Sequence, residues 1–170
     1  MPEVKRKERE SRKEDTVKRK YYYLVAGLQD VVLEMNKLLL NQYDFRELLK
    51  THLHPSDFRL AEKLYLQYDN KNLLNRLQKN NQPFDELGNF SIEQLDENIR
   101  EPDNLPDYMI RFIEAYKNNE PLFPDMSPEN ELTTLFYQAM LGHDNKFLRE
   151  WFTFDLTVKN LLTAMISRKY

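Results

Sequence analysis

Through most of the chain, apolar residues recur at steps of three and four, which is the spacing of amphipathic helices. Phe45, Leu48 and Leu49 follow this spacing in a helix predicted over residues 44–53. Pro55 then breaks the pattern, and Ser56 is a candidate N-cap for a long helix that is predicted to reach about residue 79. The buried face of this long helix is expected to carry Ala61, Leu64, Tyr65 and Tyr68.

Three further helices are predicted between residues 91 and 142. Ser91 and Gln94 form a capping-box pattern at the start of the first one. The third has Ser127 as a cap, a first-turn proline at Pro128, and Gly142 as its expected end. Loops are predicted at 80–90 and 118–125. The apolar positions expected to lie inside are Leu95, Tyr108, Met109, Phe112, Ile113, Tyr116, Leu132, Leu135, Phe136 and Ala139.

The last predicted helix, over residues 144–168, has the clearest apolar stripe in the chain. Its positions advance by four and three, a spacing typical of packing seams in helical bundles. Burial in the protein's own core is the expected arrangement, and burial against a partner is the alternative. The stripe comprises Phe147, Trp151, Phe154, Val158, Leu161, Leu162 and Met165.

Near the N-terminus, the apolar run 21–28 combines three tyrosines with Leu24 and Val25 and leads to Gly27. Its residues favour β-structure, so a short extended segment is predicted, although the opening of a helix also fits. The complete pattern predicts an all-α fold, an antiparallel helical bundle of about seven helices preceded by this short extended segment.

Charge separates a leader from the body of the chain. Residues 1–20 carry nine Lys/Arg and five Asp/Glu, a balance of +4, whereas the whole chain has a net charge of −3. The body, 21–170, is therefore acidic at −7, which argues against a nucleic-acid-binding face. The leader is predicted to be a solvated or frayed segment, and attraction to anionic lipid or an acidic partner is the alternative.

Candidate chemistry is sparse. The sequence has no cysteine and only three glycines, and it shows no glycine-rich phosphate loop or nucleophile elbow. His52 and His54, with Asp57 and Glu62 nearby, could be imagined as a metal site, but they flank a proline break rather than follow helical ligand spacing. We expect no enzymatic activity, no metal and no cofactor. The absence of a long apolar run and of a signal peptide indicates a cytoplasmic protein.

Two segments of the chain, residues 65–74 and 152–162, resemble each other. Each has the form aromatic-x-aromatic-Asp, followed after a short gap by Lys-Asn-Leu-Leu, within a long amphipathic helix. Such an echo can mark a duplicated helical unit, here about 21–90 and 91–170, and chance similarity is the alternative. The residues expected to organise each unit, as structure rather than catalysis, are Tyr68, Asp69 and Asn72 in the first, and Phe154, Asp155 and Asn160 in the second.

These motifs also carry a family resemblance. The run 21–28, Tyr68-Asp69-Asn70-Lys71-Asn72-Leu73-Leu74, Trp151-Phe152-Thr153-Phe154-Asp155 and Asn160-Leu161-Leu162 resemble an uncharacterised bacterial family. Its genes lie among those of V/A-type rotary ATPases in Bacteroidetes and related bacteria. That family is similar to the C-type stalk component of the V/A-type ATPase, which corresponds to the d component of the eukaryotic enzyme.

The resemblance implies a non-catalytic, C-like stalk component of a rotary ATPase, made of related helical bundles. Its partners would be the central stalk and the membrane rotor ring, which it would link in ion transport at the cytoplasmic membrane face. Family members are generally longer, so the resemblance implies either a truncated product or a shortened homologue without a third bundle. A helical protein-interaction module unrelated to rotary ATPases is the alternative.

Overall fold

The computed structural model describes residues 20–31 and 40–168. All regular structure in these two ranges is helical, with no strand, which confirms the all-α prediction. The described helices are α1 (Tyr22–Ala26), α2 (Gln42–His52), α3 (Pro55–Leu77), α4 (Ile92–Arg100), α5 (Asp107–Asn118), α6 (Pro128–Leu141) and α7 (Lys146–Ser167).

The predicted extended segment at the N-terminus is wrong, because α1 is a short helix. The Val25 N–H donates to the Tyr21 carbonyl at 2.9 Å, and the Gly27 N–H donates to the Tyr23 carbonyl at 3.1 Å. A strand must pair its backbone groups with a neighbouring strand, and the described ranges contain none. The β-favouring side chains therefore did not determine the backbone conformation here.

Within α3, between Ala61 and Glu62, the chain divides into two compact units. In the first unit no described residue is fully buried. There the Tyr21 hydroxyl donates to the Asp57 carboxylate and accepts the His54 N–H at 3.2 Å. The predicted repeat units, 21–90 and 91–170, stay a prediction, and the predicted leader lies outside the described residues except for Lys20.

The helix ends of the second unit follow their sequence signals. Ser91 and Gln94 form the predicted capping box, with both reciprocal hydrogen bonds present. The Ser127 side chain accepts from the Asn130 N–H ahead of Pro128, and Gly142 caps the C-terminus of α6. These contacts satisfy backbone groups that a helix end leaves unpaired, so the predicted boundaries are confirmed.

An aromatic cluster lies at the centre of the second unit. Phe136 of α6 packs edge-on against Phe152 of α7, with ring centroids 5.1 Å apart, and against Tyr108 of α5 at 5.9 Å. Tyr137 completes the cluster at 5.2 Å from Phe136. Edge-to-face aromatic pairs contribute beyond the area they bury, so this cluster fixes how α5, α6 and α7 pack.

In α3 the buried face differs from the predicted one. Ala61, Leu64, Tyr65 and Tyr68 are only half-buried, and the fully buried residues are Leu66, Asp69, Asn72 and Leu73. Apolar residues occur on several sides of this helix, so spacing alone did not select the inner side. The side of α3 that faces inward is determined by Asp69 and Asn72, two buried polar residues that bind the loop after the helix.

The apolar stripe of α7 is exposed, so its predicted burial in the core is wrong. The fully buried residues of α7 are Leu148 and Phe152, on the side that packs against α6. The large stripe side chains are 36% to 64% exposed. We call the α7 stripe the set Phe147, Trp151, Phe154, Val158, Leu161, Leu162 and Met165.

Candidate functional site

The first motif of the echo forms a buried polar centre on α3. Asp69 is fully buried, and one of its carboxylate oxygens accepts the N–H groups of Asn89 and Phe90 at 2.6 and 3.1 Å. The other oxygen accepts from Asn89 Nδ2 at 2.7 Å. A buried carboxylate is tolerated only when such donors replace its water. Asp69 therefore holds residues 89 and 90, the end of the loop that follows α3, against the helix.

Asn72, one turn further along α3, binds the same loop. Its Nδ2 donates to the Asp85 carbonyl at 2.8 Å, and its Oδ1 accepts the Asp85 N–H at 2.9 Å. Both polar atoms of the Asn72 amide therefore bind the backbone of a single residue, Asp85. Asp69 and Asn72 together hold residues 85–90 in a defined conformation against α3.

Gly88 lies where this loop approaches α3 most closely. A Cβ built on it would be 2.5 Å from Asp69 Oδ1 and 3.2 Å from Asn72 Nδ2. Only a residue without a side chain fits this contact while the Asp69 hydrogen bonds are kept.

We expect Gly88→Ala to lower the free energy of unfolding by about 2 kcal/mol, because the added methyl displaces the loop from Asp69. Urea denaturation followed by circular dichroism measures this loss. Gly142→Ala is the matched control, since its nearest neighbour would be a carbonyl oxygen at 3.2 Å in ordinary helical backbone. Equal losses in the two variants would contradict the role given to Gly88.

The second motif has a different environment. Asp155 accepts the Tyr137 hydroxyl at 2.5 Å and pairs with Lys159 at 3.2 Å, and its side chain is 25% exposed. Lys159 also donates to Gln67 Oε1 at 2.7 Å. Phe154 and Asn160, the other predicted residues of this motif, are exposed. Asp155 thus joins α7 to α3 and α6, whereas Asp69 holds a loop, so the echo does not produce two equivalent sites.

Two tyrosines in this region have perturbed ionisation. Burial and the hydrogen bond to Asp155 raise the pKa of Tyr137 above its usual value, and burial does the same for the pKa of Tyr108. Tyr108 donates to Asn70 Oδ1 at 2.8 Å. Because the folded phenols keep their protons to higher pH than unfolded ones, their contribution to stability is full below about pH 10 and falls above it.

Beside this cluster, a groove of about 430 Å³ runs between α3 and α6. Its walls carry several amide side chains, among them Asn70, Asn75 and Gln78, together with two lysines, Lys71 and Lys159, of which Lys159 pairs with Asp155. His52 and His54 are exposed and contact local groups. In the described ranges, no three His, Asp or Glu side chains are grouped to hold a metal.

Sequence reasoning missed two buried polar residues that also hold loops. Asn98 accepts the Asn104 N–H at 2.9 Å, and Glu131 accepts the Leu122 N–H at 3.1 Å. Asn98 lies three residues after Leu95 on the buried face of α4, a position from which its burial could have been inferred. Glu131 lies four residues before Leu135 on the buried face of α6, but an acidic residue in the first turn is explained by the helix dipole alone, so its burial was not inferred.

Comparisons with known proteins add one finding. No curated protein and no solved structure matches the chain. None of the helices in the described ranges combines the length and apolar character needed to cross a membrane. A protein family described as a protein of unknown function, DUF2764, matches residues 18–170. This match covers nearly the whole chain, which therefore belongs to the DUF2764 family.

Proposed function

We propose that this protein is a non-catalytic, C-like stalk component of a bacterial V/A-type rotary ATPase, linking the central stalk to the membrane rotor ring. It would act at the cytoplasmic membrane face and would make only peripheral contact with the membrane. Its contribution to ion transport would be mechanical, through binding of protein partners. It would use no cofactor and no small-molecule substrate.

The observation that supports this proposal is the environment of Asp69 and Asn72. These residues carry part of the resemblance to the family whose genes lie among those of V/A-type ATPases, and both hold a loop against a long helix. A motif used in this way supports a rigid helical body rather than a reaction. The all-α fold is the architecture that the resemblance implies.

A second candidate function is a helical protein-interaction module unrelated to rotary ATPases. The exposed α7 stripe favours it, because contiguous apolar surface of this size on soluble proteins usually marks an interaction site. The stripe offers an apolar surface for a protein partner and does not depend on a rotary ATPase.

Affinity capture separates the two candidates. The full-length tagged chain is bound to bacterial membranes solubilised in a mild detergent, and the retained proteins are identified by mass spectrometry. Our proposal predicts recovery of stalk and rotor-ring proteins together, above an unrelated helical protein with the same tag. Recovery of neither, with the tagged chain itself folded, would contradict the rotary ATPase proposal.

A further inference from the structure

The α7 stripe has the repeat of a coiled coil. Its main positions are separated by four, three, four, three and four residues, so they alternate between the a and d sites of a heptad. Phe147, Phe154 and Leu161 take the d sites, and Trp151, Val158 and Met165 take the a sites. The sequence therefore specifies a surface shaped to receive another helix in knobs-into-holes packing.

The exposed area is larger than a monomer normally leaves in water. Taking about 180 Å² for a large apolar side chain, the seven stripe residues at their observed exposures present roughly 700 Å². The largest apolar patch of a typical monomer is about 300–600 Å². A stable protein–protein interface buries about 800 Å² on each partner, so the stripe alone approaches that requirement.

The sizes of the stripe residues change along the helix. Its first half carries Phe147, Trp151 and Phe154, and its second half carries the smaller Val158, Leu161 and Met165. If two copies of α7 pack antiparallel, each large ring of one copy faces an aliphatic side chain of the other. Facing large and small side chains interdigitate, whereas a parallel pair would place ring against ring. The facing pairs are Phe147 with Met165, Trp151 with Leu161, and Phe154 with Val158.

Charge does not oppose burial of the second half of the stripe. From residue 156 to 167 the helix carries a single charged side chain, Lys159. Asp155 would lie near its own copy across the two-fold axis, but Lys159 of the same chain neutralises it at 3.2 Å. The second half of the stripe can therefore be covered without leaving an unpaired charge inside the interface.

We propose that the α7 stripe is a homodimer interface, in which α7 of one copy packs antiparallel against α7 of a second copy. Three features support a second copy of this chain as the occupant. They are the heptad repeat, the exposed apolar area, and the pairing of large with small side chains in an antiparallel arrangement. This inference is independent of the rotary ATPase proposal, because it depends only on α7.

Sedimentation over a range of concentrations tests the proposal. We expect the full chain to form a dimer, and Leu161→Glu to weaken dimerisation more than about 100-fold by placing a carboxylate in the seam. Thr163→Glu is the matched control, since Thr163 is exposed on the opposite side of the same turn. Circular dichroism confirms that both variants are folded. A monomer at every concentration, or a dimer equally sensitive to both substitutions, would overturn the proposal.

Cysteine cross-linking tests the orientation, because the chain has no cysteine of its own. Mixed Trp151→Cys and Leu161→Cys chains should form a disulfide with each other under mild oxidation. A disulfide formed only between two Trp151→Cys chains would show parallel helices and overturn the antiparallel arrangement. Monomeric protein that sediments with anionic phospholipid vesicles would assign the stripe to a lipid surface instead, and would overturn the homodimer.

Discussion

Asp69→Ala should lower the free energy of unfolding by about 4 kcal/mol, a large fraction of the stability of a small protein. The substitution removes the acceptor for the N–H groups of Asn89 and Phe90 and for the Asn89 side chain. Buried donors without a partner are costly, so the loop would leave α3 or its donors would stay unpaired. Urea denaturation followed by far-ultraviolet circular dichroism measures the loss.

Asp155→Ala is the matched control for this prediction, since Asp155 occupies the corresponding place in the second motif. Its carboxylate is partly exposed, and Tyr137 and Lys159 keep a contact with each other at 2.8 Å. We expect a loss of about 1 kcal/mol. Similar losses at the two aspartates would mean that both motifs have the same structural role, contrary to the environments found here.

Phe152→Ala should lower the free energy of unfolding by about 4 kcal/mol, whereas Phe154→Ala should change it by less than about 1 kcal/mol. Phe152 is fully buried, and its ring packs against Phe136 and Tyr137, so truncation leaves a cavity in the aromatic cluster. Phe154 is 64% exposed on the other side of α7.

The two phenylalanine variants are compared by urea denaturation at protein concentrations low enough to keep the chain monomeric. In the monomer no partner covers the α7 stripe. The two free energies of unfolding therefore depend only on packing inside the second unit. A larger loss for Phe154→Ala than for Phe152→Ala would mean that the stripe is the buried face of α7, and would contradict the packing described.

Local sequence signals predicted much of the fold. The all-α class, the capping box at Ser91 and the Ser127–Pro128 helix start follow from interactions within a few residues, which the sequence contains in full. Four buried positions of α5, among them Phe112 and Ile113, also followed from spacing, whereas Ala115 was missed and Tyr116 is only half-buried. Where neighbouring residues decide the conformation, the sequence was sufficient.

The faces of α3 and α7 depend on tertiary contacts and were predicted wrongly. Both helices carry apolar residues on more than one side, so periodicity could not say which side packs inward. In α3 the choice is fixed by Asp69 and Asn72 binding a loop that ends about twenty residues later in the chain. In α7 it is fixed by Phe152 entering the aromatic cluster, which leaves the longer stripe outside.

The candidate site could be predicted only in part. The sequence marked Asp69 and Asn72 as organising residues, and the structure places both at the loop anchor. It also marked Phe154 and Asn160, which are exposed. Two similar sequence patterns can have different surroundings, and the loop that covers Asp69 has no counterpart at Asp155.

We expect the apolar surface of α7 to be covered by a protein partner. Trp151, the sole tryptophan of the chain, is 45% exposed and lies within this surface. Its fluorescence emission, recorded while the protein is concentrated from monomer to assembled state, tests the claim most directly. We expect emission typical of a hydrated indole in the monomer and a shift to shorter wavelength on assembly. Short-wavelength emission already in the monomer, unchanged on concentration, would contradict the claim.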